Sequence, residues 1–274
     1  MSVFRFKKFD VVNERSAMKV NTDGVLLGVA MTVTSQDRRL LDIGTGTGTI
    51  ALMAAQRLTE LVGRSSRRSA TQDDMEDAPL DEDQHVIAGE SQQFPICIDA
   101  IDIDEPSATE AAVNFGNSPW SANLNAHNLS LDEYAASLPE DVRFDLIFSN
   151  PPYFEDSLTA PDERKSTARH TSEGLSYRDI FAFSSVWLAE NGRVALVLPS
   201  DQEHDLTRHA RMCGFHLQRI LRIRTVPRKE PKRIIVEFSR QRTNDSKDEI
   251  LTIQSEGKYT QEYLSLTRDF YLFA

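Results

Sequence analysis

Two cysteines in 274 residues, Cys97 and Cys213, are too few for a disulfide framework or a four-thiolate zinc site. No unbroken apolar run approaches the ~20 residues that a bilayer-spanning helix needs. The first ten residues carry Arg5, Lys7 and Lys8 without the apolar stretch of a secretory signal. The Lys-Ser/Thr pair that completes a nucleoside-triphosphate loop is missing after the chain's glycine-rich turn. These absences predict a chain that works in the cytoplasm with no membrane contact and no metal.

What is present suffices for a folded domain: 40% hydrophobic and 27% charged residues bury a sizeable core. The net charge of −11 is unevenly spread. From Thr71 to Gln93 eight acids (Asp73, Asp74, Glu76, Asp77, Asp81, Glu82, Asp83, Glu90) stand with no Lys or Arg. From Arg222 to Arg240 seven bases (Arg222, Arg224, Arg228, Lys229, Lys232, Arg233, Arg240) face only Glu230 and Glu237. A basic strip of this kind suits phosphate, and it equally suits a solvated strand edge.

The patterning predicts an α/β protein with a mostly parallel seven-stranded sheet and helices on both faces. The strands are expected at Arg39–Ile43, Ile96–Ile103, Ala122–Asn128, Phe144–Phe148, Arg193–Leu198, Phe215–Ile223 and Arg233–Phe238. Helices are expected after Gly48 (Ile50, Met53, Ala54, Leu58 and Leu61 share a face), over Pro106–Phe115, over Tyr177–Leu188 up to Asn191-Gly192, and over Asp201–Met212. One domain over residues 1–274 is expected, with residues 62–95 as a disordered insertion because the βα rhythm resumes after it.

Two motifs carry chemistry. Asp42-Ile43-Gly44-Thr45-Gly46-Thr47-Gly48 falls where a strand passes into a helix, the ligand-binding edge of an open α/β sheet. At the end of the next strand stand Asp102 and Asp104; a carboxylate there can accept two ribose hydroxyls, and Asp104 is also placed to cap the Pro106 helix. Asn128, at the end of the third strand, is placed to read an adenine edge or to serve an ordinary turn. The second motif, Asn150-Pro151-Pro152-Tyr153, follows a buried strand. Two prolines fix the chain and remove two donors, leaving the Asn150 side-chain oxygen and nearby carbonyls as acceptors beside a flat ring. Acceptors that grip both hydrogens of an exocyclic amine draw its nitrogen toward tetrahedral geometry and aim the lone pair at a methyl donor.

These motifs, with Phe4-x-Phe6-Lys7-x-Phe9-x-Val11, Met18-Lys19-Val20-x-Thr22-Asp23-Gly24-Val25-Leu26-Leu27-Gly28 and the C-terminal Tyr259-Thr260-x-Glu262-Tyr263 and Leu266-Thr267-x-Asp269-Phe270-Tyr271-Leu272, resemble the bacterial tRNA(Val) N6-adenine methyltransferases that act on adenosine 37. The resemblance implies a Rossmann-like class I methyltransferase fold, S-adenosylmethionine as cofactor, tRNA as partner and a monomeric enzyme. It implies that Asp42, Gly44, Gly46, Gly48, Asp102, Asn128 and Asn150 bind the cofactor, closed in by Lys19, Thr22 and Asp23 of an N-terminal segment, residues 1–37. It implies that Asn150, Pro151 and Pro152 grip the target amine while Tyr153 stacks on the base. Asn21 stands where the family pattern has glycine. RNA phosphates are expected on Arg164, Lys165 and Arg169, and secondarily on Arg228, Lys229, Lys232 and Arg233, the latter only if their connection faces the same sheet edge.

Other readings of the same residues are an N-methyltransferase of an rRNA base or a protein glutamine through the same Asn-Pro-Pro-Tyr site, a nicotinamide dehydrogenase built on the glycine turn and Asp102, and a non-catalytic RNA-binding module. The dehydrogenase leaves Asn-Pro-Pro-Tyr unexplained.

Overall fold

The computed structural model describes residues 2–73, 95–152, 174–243 and 245–274. Tyr153, Arg164, Lys165 and Arg169, and the acidic stretch from Asp74 to Glu90, lie outside the described residues. The chain opens with a hairpin of β1 (Val3–Arg5) and β2 (Asp10–Val12), then α1 (Thr22–Ala30). The βα succession follows: β3 (Arg39–Ile43), α2 (Thr49–Asp73), β4 (Cys97–Asp102), α3 (Glu105–Gly116), β5 (Leu124–Asn128), α4 (Leu131–Ser137) and β6 (Phe144–Ser149). Next come α5 (Tyr177–Trp187), β7 (Leu188–Pro199), α6 (Glu203–Met212), β8 (His216–Arg224) and β9 (Arg233–Ser239). The chain closes with β10 (Lys247–Thr252), a two-residue-strand hairpin of β11 (Gln254–Ser255) and β12 (Lys258–Tyr259), and α7 (Gln261–Thr267).

Among the described residues, eight strands form one sheet in the order β10-β8-β9-β7-β6-β3-β4-β5. β3 to β7 run parallel, β9 runs against them, and β8 and β10 run with them. Strand residues alternate between two cores: Leu40, Ala195 and Val197 pack with α1, α2 and the C-terminal Phe270 and Tyr271 on one face, while Leu41, Val194 and Leu196 pack with α4, α5 and α6 on the other. Covering both faces is what lets these strands be apolar throughout.

The strand order departs from seven because β10 adds an eighth, at the edge beside β8. Its sequence, Lys-Asp-Glu-Ile-Leu-Thr, is charged and its first four residues are exposed, the composition of a guarded edge rather than of a core strand. α1 also goes unannounced by any period. Its residues from Gly24 to Ala30 are all buried, so apolar positions occur on every side of the helix. α2 runs on to Asp73, through residues 62–73 that the sequence pattern assigns to the insertion. Asn191-Gly192 does not stop α5; it lies inside β7, which begins at Leu188 and bulges against β6 between Phe144 and Leu146. A Cβ at Gly192 would meet the Phe144 carbonyl at 2.8 Å, so glycine is needed there for close approach to the neighbouring strand.

From β3 the chain moves outward to β4 and β5, then returns to place β6 on the other flank of β3. The carboxyl ends of β3 and β6 therefore bound the point where strand order reverses, the place where open α/β sheets hold ligands.

Candidate active site

The turn after β3 is built on three glycines in the left-handed region, Gly44, Gly46 and Gly48, at φ of 71°, 57° and 79°. A side chain is strained at each. The amides of Gly44 and Thr45 both donate to the Ile101 carbonyl, 2.9 and 3.0 Å, which fastens the turn to the end of β4. The β4 carboxylate completes the attachment. Asp102 Oδ2 accepts the Gly46 amide at 2.8 Å and Oδ1 accepts the Asp104 amide at 2.9 Å. Burial holds the Asp102 carboxyl above the usual carboxylate range, against the two backbone amides.

Across the reversal point, β6 ends at Ser149, whose hydroxyl donates to the Ile43 carbonyl at 2.6 Å and so ties β6 to the end of β3. Asn150 comes next. It is 5% exposed, and its Nδ2 lies 3.5 Å from the Met18 sulfur. Pro151 is buried beside it and Pro152 is exposed. One cleft joins the two motifs, lined by Gly44 to Thr47, Thr49, Ile50 and Asn150 on the sheet side and by Met18 to Asn21, Gly24 and Val25 opposite. The segment before α1 thus forms a wall, and a Cβ at Gly46 would stand 3.2 Å from the Met18 carbonyl.

Met18 is the residue the motif reading leaves out of the site. Its sign in the sequence is the place it occupies, directly before Lys19-Val20 in the N-terminal pattern. Asn21 has a structural use: it caps α1, its side-chain oxygen accepting the Gly24 amide at 2.8 Å.

Several expected cofactor contacts stand elsewhere. Asp42 is 0% exposed and lies behind the glycine turn, where Oδ2 accepts the Thr45 hydroxyl at 2.7 Å and Oδ1 makes no well-formed hydrogen bond. It shapes the turn from below rather than touching the cleft. Burial pushes its carboxyl up to about 7, against the Thr45 hydroxyl and the Ala51 backbone. Lys19 lines the cleft, but its ammonium is held by the carbonyls of Asn13 and Glu14. Thr22 and Asp23 begin α1 and are absent from the cleft lining; Asp23 accepts Arg233 Nε at 2.7 Å. Asn128 donates its amide to the carbonyls of Asp102 and Ile103, 3.0 and 3.1 Å, so it braces the turn after β4. Asp104 caps α3 through the Ser107 amide and hydroxyl.

The late basic strip divides. Arg222 is spent on Glu203 and Asp248, and Arg240 on the carbonyls of Ser184 and Ser185. Arg233 pairs with Asp23. Arg228, Lys229 and Lys232 are exposed. Their connection lies at the carboxyl edge, because Arg233 opens β9 opposite Pro199 at the end of β7 and opposite Ile223 near the end of β8. The connection therefore faces the same sheet edge as the turn after β3.

Among the described residues Lys19 is the one cation lining the cleft, and its ammonium is engaged, which disfavours a triphosphate. Asp102 and Gly48 are not lining residues; Asp102 bonds the Gly46 amide of the turn that does line the cleft, each of its oxygens accepting one amide and keeping a lone pair for a hydroxyl, and the glycine turn leaves room that side chains would fill. These features fit an adenosyl amino acid.

The chain is similar to known proteins over most of its length. A family model described as an RMKL-like methyltransferase domain matches residues 26–203. A protein of Parabacteroides distasonis named tRNA1(Val) (adenine(37)-N6)-methyltransferase is 37% identical over 98% of this chain and 97% of its own length. Proteins of the same name from Flavobacterium psychrophilum, 35% identical over 98% of this chain and 99% of theirs, and from Trichodesmium erythraeum, 34% identical over 98% and 97%, align as fully. Among solved structures, one named as a predicted O-methyltransferase from Agrobacterium tumefaciens superposes with a TM-score of 0.59 at 15% identity, covering 90% of this chain and 96% of that one. The fold is that of class I S-adenosylmethionine-dependent methyltransferases.

Proposed function

We propose, for a chain that belongs to the tRNA1(Val) (adenine(37)-N6)-methyltransferase family, that it transfers a methyl group from S-adenosylmethionine to the exocyclic N6 of adenine 37 in that tRNA, in the cytoplasm. The observation that carries the reading is the cleft at the reversal point, where the glycine turn of β3 and Asn150 at the end of β6 line one space.

When bound, S-adenosylmethionine supplies an electrophilic methyl group. The chain's residues do the rest. Asp102 takes the ribose hydroxyls on its remaining lone pairs while its bonds to the Gly46 and Asp104 amides fix its orientation. Gly44 and Gly46 let the backbone approach closely. Asn128, its amide nitrogen spent on the backbone, braces the turn that carries Asp102. The Met18–Asn21 wall closes the cleft, and the Asp23–Arg233 pair braces the start of α1 behind it.

Asn150 and the Pro151 segment grip the target amine. N6 of adenine is a poor nucleophile because its lone pair is delocalised into the ring. The Asn150 oxygen and a backbone carbonyl, accepting its two hydrogens, favour the pyramidal nitrogen that forms as the methyl group arrives. The proton leaves after the methyl group is transferred, so no general base with a shifted pKa is required. Tyr153, next after the prolines, is assigned to stacking on the adenine once it is swung out of the anticodon loop. Arg164, Lys165 and Arg169 share the phosphates with Arg228, Lys229 and Lys232.

Asn150→Ala tests this directly. It should bind S-adenosylhomocysteine within about threefold of the parent and lose roughly a hundredfold or more in kcat, the scale of removing one preorganised hydrogen-bonding group from a transition state. Parental turnover in this variant would overturn the role of Asn150.

A further inference from the structure

Ser107, Glu110 and Asn114 lie at spacings of three and four residues on α3, one stripe of the helix, and all three are buried. Buried polar side chains need partners. The segment joining β2 to α1 supplies them. Glu110 Oε2 accepts the amides of Glu14 and Arg15 at 2.9 and 2.7 Å, and Oε1 accepts the Ser16 amide at 3.3 Å. The hydroxyls of Ser16 and Ser107 are 2.9 Å apart. Asn114 accepts the Val12 amide at 2.8 Å and donates to the carbonyls of Val12, 3.0 Å, and Thr47, 2.8 Å, so it joins this segment to the glycine turn. Ser16 in turn donates to the Met18 carbonyl at 3.0 Å, the carbonyl that faces Gly46.

Three consecutive amides converging on one carboxylate are a charge-assisted clamp on the backbone from Glu14 to Ser16. Without it those donors would turn to water, and the wall that follows, from Met18 to Asn21, would lose its support. Glu110 is absent from the cleft lining and therefore acts through the segment it holds.

We infer that Glu110 is a positioning residue for cofactor binding: its carboxylate fixes residues 14–16, and through them the Met18–Asn21 wall that closes S-adenosylmethionine into the cleft. The inference rests on the cofactor reading above. Chemically it makes affinity for the cofactor depend on an anion that the cofactor does not touch.

The test uses the full chain and S-adenosylhomocysteine as probe. Glu110→Gln keeps the size of the side chain but turns one of its two acceptors into a donor facing the amides. Calorimetry should show Kd for the probe raised tenfold or more, hydrogen exchange should quicken at the amides of Glu14, Arg15 and Ser16, and KM for tRNA should not change. A variant that is less stable yet binds the probe as the parent does overturns the inference, because Glu110 is then structural only. Should Glu110→Gln not fold, Ser107→Ala removes the hydroxyl beside Ser16, which also donates to Asp104, and leaves the Ser107 amide on Asp104 to keep the helix cap. A threefold rise in Kd is expected, and an unchanged Kd overturns the inference. A parent protein that fails to bind the probe would instead remove the cofactor reading itself.

Discussion

At the level of single residues, two carboxylates near the glycine turn have opposite fates. Asp102 has each oxygen on a backbone amide, whereas Asp42 is enclosed beneath the turn with one oxygen lacking a well-formed bond. Enclosure favours the protonated form of Asp42, whose carboxyl is held up to about 7. The sign of the consequence follows. Below the ordinary aspartate range, both folded and unfolded chains hold the proton. Between there and about 7 the folded chain keeps a proton that the unfolded chain has released, so rising pH costs stability across that window. Asp42→Asn cannot titrate, and it should gain on the parent by an amount on the order of a few kcal/mol between pH 4 and pH 8. Denaturant titrations at the two ends of that range measure it; a constant difference between the two proteins would show that Asp42 is ionised in the fold. The sequence places Asp42 next to the glycines but does not say on which side of the turn its carboxyl falls. That depends on strand pleat and on how α2 packs over it. Asp104 was legible in both its possible roles, and its bonds to Ser107 decide for the helix cap.

At the level of elements, the glycine turn and α3 are made for each other. Gly48 has φ of 79°, and a Cβ there would lie 2.5 Å from the Phe115 ring, which is buried. Gly214, at φ 81°, has nothing within 4 Å of such a Cβ. Gly214→Ala should therefore cost only backbone strain, about 1–2 kcal/mol. Gly48→Ala should cost that plus about 1–3 kcal/mol of overpacking. Equal losses in chemical denaturation would mean that Phe115 swings aside freely. The central βα units could be read because each strand is a short apolar run between punctuating residues, and because Ile50, Met53, Ala54 and Leu58 keep a helical period. α1 and β10 escaped for opposite reasons: one is buried on nearly every side, and the other is almost wholly exposed. Neither leaves a periodic signature, and only packing against the remainder of the chain defines them.

Across the whole molecule, function follows from which motifs the topology brings to one edge. The glycine turn and Asn150 are separated by about a hundred residues of chain and meet because β6 returns beside β3. Membership of the methyltransferase family sets aside the nicotinamide and non-catalytic readings of the same motifs. No helix among the described residues is long and apolar enough to cross a membrane, and no cluster there could hold a metal ion. The net charge of −11 opposes a polyanion, so local cations must carry RNA binding. The connection from β8 to β9 offers Arg228, Lys229 and Lys232 at the carboxyl edge. Replacing these three with Gln should raise KM for tRNA and lower the salt slope of binding by roughly two, at somewhat under one unit per phosphate contact, while leaving Kd for S-adenosylhomocysteine unchanged. An unaltered slope would place the RNA elsewhere. Whether N6 of adenine 37 receives the methyl group is read from the product itself. Unmodified tRNA1(Val) is incubated with the purified protein and S-adenosylmethionine, and its nuclease fragments are read by mass spectrometry. One added methyl group is expected, on N6 of the adenosine at position 37, formed by the parent protein and formed roughly a hundredfold or more slowly by Asn150→Ala. A methyl group at another position or on another base, or none, would contradict the N6 assignment.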